Sequence, residues 1–165
     1  MKLTIRHSIP VLVTALALQT KVLHADENER AAILEVAEKV FAAVNTQNPD
    51  DWRAIQLAQG TTLSFRPHAS GEPGQQEMRM TGNEEFIAGL QKNEHDYREF
   101  WTAEPTVLIR GPIAVVWGAY EFTIDGKFSH CGIDAIDMVK LEGEWKVANI
   151  MWTVEKDNCP TAAGD

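Results

Sequence analysis

Apolar residues recur first at helical steps and later at alternate positions, and this switch divides the chain into two halves. Ile33, Val36, Ala37, Val40, Phe41 and Val44 follow three- and four-residue steps, predicting a helix with one apolar stripe. Asp26 and Glu29 have the spacing of a capping box at its start. Asn48-Pro49-Asp50-Asp51 restarts a short helix through Trp52, Ile55 and Leu57 that ends near Gly60. Thr61 to Arg66 alternates as a strand, and His68 to Gln75, rich in Gly and Pro, reads as a loop. Glu77 to Met80 predicts a short strand, and Asn83 to Gln91 a third helix with Phe86, Ile87 and Leu90 on its apolar face.

From Tyr97 the period is two. Tyr97 to Arg110, Ile113 to Ile124, Lys127 to Leu141 and Glu144 to Glu155 predict an antiparallel meander. Asp125-Gly126 and Glu142-Gly143 are its two-residue turns. Helices first and a meander last define an α+β domain whose helices cover one face of the sheet.

Those turns imply a register. Ile124 pairing with Lys127 puts His130 opposite Glu121 and Asp134 opposite Trp117. Leu141 pairing with Glu144 puts Asp134 opposite Met151 and Ile136 opposite Asn149. Alternation then places Trp117, Glu121, His130, Asp134, Ile136, Met138, Trp145, Val147, Asn149, Met151 and Thr153 on one face. The other face takes Val116, Gly118, Tyr120, Phe122, Cys131, Ile133, Ile150 and Trp152. Both faces are too apolar for open water. The first is expected to be concave and covered by the helices, and the second to be covered by another copy in a homodimer. A few polar groups (His130, Glu121, Asp134, Asn149, Thr153) framed by Trp117 and Met151 have the make-up of a site for a small apolar or aromatic molecule.

Residues 1–25 do not fit either half. Lys2 and Arg6 precede the apolar run Ile9 to Leu18, which is too short to span a bilayer, and Leu23-His24-Ala25 offers a cleavage point. The segment reads as an export signal, leaving a mature domain of residues 26–165 that is secreted or periplasmic and free of the membrane. Its removal takes Lys2, Arg6 and Lys21 but no acid, so the net charge goes from −9 to −12. Such a surface repels nucleic acid. In an oxidising compartment Cys131 and Cys159 are candidates for a disulfide; the alternative is one buried thiol and one exposed tail thiol. No metal-ligand spacing, phosphate-cradling loop or Ser/His/Asp order appears, and no cofactor is expected.

The stretch from Val116 to Cys159, above all DGKFSHCGIDAIDMVK and EGEWKVANIMWTVEKDNC, resembles exported bacterial proteins of the nuclear transport factor 2-like (SnoaL-like) superfamily, in the branch labelled lumazine-binding. The resemblance implies a cone-shaped curved sheet wrapped around N-terminal helices, the cystatin-like type of α+β fold, with a pocket and commonly a dimer formed through the sheet. It does not assign an activity, because the superfamily holds isomerases, dehydratases, cyclases, hydrolases and binding modules.

Asp134, mid-strand beside Trp117, is the candidate acid/base: burial would raise its pKa, as abstraction of a carbon-bound proton requires. His130 facing Glu121 is a second candidate, or else a cross-strand polar pair. Trp117, Glu121, Asn149, Met151 and Thr153 are candidate ligand contacts. His68 could belong to a lid or be an exposed loop residue, and Tyr97, Phe100 and Trp101 could line the pocket mouth or belong to the core. Three readings follow: an exported small-molecule-binding protein, a cofactor-independent isomerase, dehydratase or hydrolase using Asp134 and His130, or a dimeric partner-binding module without turnover.

Overall fold

The computed structural model describes residues 12–72, 74–91 and 94–160, with side chains from Glu27 onward. Residues 1–11 of the predicted export segment, and the side chains of its remainder including the cleavage point, lie outside the described residues. Helix α1 spans Leu12–Thr46, α2 Pro49–Ile55 and α3 Asn83–Leu90. The strands are β1 Gln56–Pro67, β2 Gln76–Gly82, β3 Tyr97–Trp101, β4 Thr106–Arg110, β5 Ile113–Ile124, β6 Lys127–Leu141 and β7 Glu144–Thr153. They form one curved, unclosed sheet of order β2-β1-β7-β6-β5-β3, with β4 also on β5.

The predicted stripe of α1 is the core. Ile33, Ala37, Val40, Phe41 and Val44 are buried against Val116, Tyr120, Ile136, Met138, Val147 and Ile150 of the sheet. Since α1 runs on from Leu12, the Asp26–Glu29 pair does not open it. Glu29 instead accepts from Lys140 Nζ at 2.5 Å and Trp145 Nε1 at 2.9 Å, tying the helix to the β6–β7 hairpin. Helix α2 begins as expected: Asn48 Oδ1 caps the Asp50 amide at 3.0 Å and Pro49 takes the first turn.

The two dipeptide turns are where the alternation placed them. Asp125-Gly126 and Glu142-Gly143 all have positive φ, which suits the turns that match strand twist. Other features differ. The long predicted strand from Tyr97 to Arg110 is two strands, β3 and β4, broken before Pro105, and both pair with β5. β1 starts at Gln56, earlier than expected, and runs parallel to β7.

The register also needs correction at two bulges. β5 and β6 pair Thr123 with Phe128 but Phe122 with His130, so Ser129 is an extra residue on β6. β6 and β7 pair Asp137 with Asn149 but Met138 with Val147, so Ala148 is extra on β7. Because the side-chain period is two, each insertion transfers everything beyond it to the opposite face. Asp134 therefore stands opposite Gly118 and Trp152, not Trp117 and Met151, and His130 stands opposite Phe122, not Glu121.

Candidate functional site

A cavity of about 820 Å³ opens between the concave face of the sheet and the three helices. Val40, Phe41 and Val44 of α1, Trp52 of α2 and Phe86 and Leu90 of α3 form the helical wall. Trp52 is held there because its indole N–H donates to Asn83 Oδ1 at 2.7 Å, and the same amide donates to the Leu57 carbonyl at 3.3 Å. Phe122, Ile150, Trp152 and Val154 line the sheet side.

Asp134 and His130 both line this cavity. The other five predicted contacts do not: Trp117, Glu121, Asn149, Met151 and Thr153 lie on the outer face, moved there by the two bulges. Asn149 Oδ1 accepts from Thr61 Oγ1 at 2.8 Å, and Thr153 Oγ1 accepts from the Ile133 amide at 3.0 Å, so both serve the sheet. Their inward places are taken by Phe122, Ile150 and Trp152, which had been assigned to the opposite face. His68 and Tyr97 line the cavity, Phe100 is exposed, and Trp101 packs on Phe41 with ring centroids 4.4 Å apart.

Glu99, Arg66 and Lys156 are charged cavity residues that sequence reasoning missed. Glu99 lines the site beside Tyr97. The signal was available, since alternation along β3 gives Tyr97, Glu99 and Trp101 a common face. Its backbone is fixed by a two-way bond with the Asn45 side chain, which accepts from the Glu99 amide at 2.7 Å and donates to its carbonyl at 3.2 Å.

The electrostatics follow from burial. Desolvation pushes Glu99 up to about 8. Asp134, 3% exposed, is raised well above the carboxylate range by desolvation and then by the nearby Glu99. Two carboxyls in one low-dielectric site cannot both ionise cheaply, so they titrate as a pair. Tyr120 is pushed up by burial and then by Asp134, Glu99 and Glu155, and stays a phenol. His130 is lowered to about 4 by burial, then by Arg66 and Lys156. It is therefore neutral near pH 7, and its Nδ1 lies 3.1 Å from Ser129 Oγ. Chemically, the pocket holds a carboxyl pair able to give and take a proton beside a neutral imidazole.

Cys131 and Cys159 are bonded, with Cα atoms 5.5 Å apart. The bridge fastens residues 155–159 to β6, assisted by reciprocal backbone bonds between Cys131 and Glu155 at 2.9 and 2.8 Å. Among the described residues no His/Cys/Asp/Glu cluster could hold a metal ion, and no helix is long and apolar enough to cross a membrane.

No protein-family profile and no curated protein sequence matches the chain. Solved structures do. A nuclear transport factor 2-like protein of unknown function from Silicibacter pomeroyi superposes with a TM-score of 0.59 at 17% identity, covering 79% of this chain and 98% of its own. A nuclear transport factor 2-like superfamily protein from Salmonella enterica gives 0.62 at 13% identity, covering 81% and 95%. A protein of unknown function with a cystatin-like fold from Nostoc punctiforme gives 0.60 at 12% identity, covering 78% and 92%. The chain has the nuclear transport factor 2-like fold: helices packed into the hollow of a bent sheet. Likeness at these identities carries the architecture and leaves the chemistry to the site.

Proposed function

We propose that this is an exported small-molecule-binding protein that encloses a largely apolar or aromatic ligand between its helices and sheet. The observation that carries this reading is the cavity itself: apolar and aromatic walls on both sides, with a few convergent polar groups from β3 and β6. Export is supported by the disulfide, which persists in oxidising compartments, and by the charged-then-apolar run at residues 2–18.

Acid–base turnover is the second reading, favoured by the Glu99–Asp134 pair. Sharing a proton, one carboxyl serves as base toward a ligand C–H while the other serves as acid toward an adjacent oxygen. A thermal-shift screen of residues 26–165 with aromatic, steroid-like and pterin-like compounds tests the binding reading. A compound at a hundred times its Kd adds about 2.7 kcal/mol of stability. Loss of the hit in Asp134→Asn with an unchanged melting temperature for the free protein supports the site. Exchange of ligand C–H protons into deuterated water, present in the parent and absent in Asp134→Asn, supports turnover. Hits unaffected by Asp134→Asn would move the site elsewhere.

The outer face supports a homodimer. The register aligns Met80, Leu63, Met151, Ala135 and Trp117 in one row across five strands, and Met80, Met151 and Trp117 are 64%, 40% and 49% exposed. A second copy seated on this row would remove that apolar surface from water.

A further inference from the structure

We propose that the ligand of this cavity is an anion: an apolar or aromatic body carrying a carboxylate, whose charge is met by Arg66 and Lys156 at the rim. The inference rests on the binding reading above and names the ligand class for the same site.

Arg66, near the end of β1, and Lys156, on the disulfide-fastened segment, come from distant parts of the chain and both line the cavity. The chain has 24 acidic residues against 15 Lys and Arg, so partners for a cation are plentiful. Arg30, Lys39, Arg53, Arg79, Arg98, Lys140 and Lys146 each have one. Among the described residues Arg66, Arg110, Lys127 and Lys156 enter no ion pair, and of these four Arg66 and Lys156 line the cavity. Arg66 is partly buried, and its hydrogen bond goes to a neutral group, the Ser64 hydroxyl, at 2.9 Å. Its Nε is buried without a partner. Glu155, beside Lys156, is engaged by the Thr153 hydroxyl, which donates at 2.9 Å. Both cations act on the same spot, since both disfavour the charged form of His130.

The acids of the cavity do not offset these charges. Glu99 and Asp134 are held toward their neutral forms by burial. The cavity is thus a locally positive, low-dielectric recess in a chain of net charge −9. Guanidinium and ammonium groups facing such a recess favour a carboxylate over an uncharged head of the same shape. The global charge opposes approach at long range but is screened within about 10 Å at 0.1 M salt, so the local pair decides affinity.

The test uses two probes of nearly the same shape, the anionic 2-naphthoate and the neutral 2-naphthamide, titrated against the quenching of the cavity tryptophans Trp52 and Trp152. The expected result is a Kd for the carboxylate at least tenfold below that of the amide. The ratio should fall below threefold in the Arg66→Gln/Lys156→Gln double variant, with Arg66→Gln accounting for most of the change. It should also shrink between 50 and 500 mM salt. Equal Kd values in the parent would overturn the anion while leaving a binding pocket. A ratio that persists in the double variant would overturn the assignment to Arg66 and Lys156. Binding of neither probe would count against the pocket reading and the anion together.

Discussion

The Tyr120 hydroxyl donates to the backbone carbonyl of Thr153 at 2.7 Å, reaching it across Gly132, the residue paired with Tyr120 on the intervening strand. A side chain at 132 would block this crossing: a Cβ there would lie 2.1 Å from the Thr153 oxygen. The end of β7 can fold over β6 only because that position is bare.

Gly132→Ala should therefore destabilise the domain by about 3 kcal/mol, the cost of overpacking into rigid backbone. Chemical denaturation would show it, with a melting temperature lower by about 6–12 °C for a domain of this size. Gly82→Ala is the control, since a Cβ there meets nothing within 4 Å. Equal loss in both would mean that the crossing at Thr153 carries no strain.

Stability should also depend on pH through the cavity acids. Glu99 and Asp134 have folded-state pKa values above their unfolded ones, so the native state binds protons more tightly. The contribution of Glu99 is complete below about 4.5 and is lost as pH rises through about 8, and Asp134 adds a loss of the same sign. His130 has the opposite sign: with a folded value of about 4 against 6.5, its contribution is complete above 6.5 and is lost as pH falls toward 4. Between about 4.5 and 6.5 the two effects oppose each other, so the fall of stability with pH should be steepest above 6.5, where the His130 contribution is complete. Glu99→Gln should flatten the alkaline limb and His130→Phe the acid limb, measured by denaturation from pH 4 to 9. Unaltered limbs would mean that these groups are solvated.

Reduction should cost about 3–4 kcal/mol on the chain-entropy account, for residues separated by 28 in sequence. Cys159→Ser should show the same loss without reductant, and reductant should then change nothing further. A variant as stable as the oxidised parent would mean that the backbone bonds at Glu155 suffice alone.

If the outer row is a dimer surface, Trp117→Glu should give a monomer by sedimentation at micromolar concentration while the parent sediments as a dimer. Because Trp117 does not line the cavity, probe binding should survive in the monomer unless the two copies share the site. A parent that is itself monomeric would remove the proposal.

Elements were legible where local chemistry decides them. The stripe from Ile33 to Val44, the Asn48-Pro49 start and both glycine turns each have a local cause, and each is present. Facing directions were legible only between bulges. Nothing about Ser129 or Ala148 signals an extra residue; neither is Gly or Pro, and the insertions answer to the curvature of the whole sheet. His130 and Asp134 were nonetheless placed in the cavity, because both lie beyond the first bulge on β6 and shift together. Trp117 and Glu121 on β5, and Asn149, Met151 and Thr153 beyond the second bulge, were left on the wrong side.

The Cys131–Cys159 bond has one more consequence. Lys156 lies three residues before Cys159, on a segment that adds no long strand to the sheet and is fastened chiefly at Cys131. Most of the apolar wall comes from α1 through β7, outside the segment that the bond fastens. Arg66 comes to the rim with β1, whereas Lys156 is held there by the Cys131–Cys159 bond. The two cations therefore differ in kind: one belongs to the sheet, and the other is kept in place by a bond that a reductant can cut.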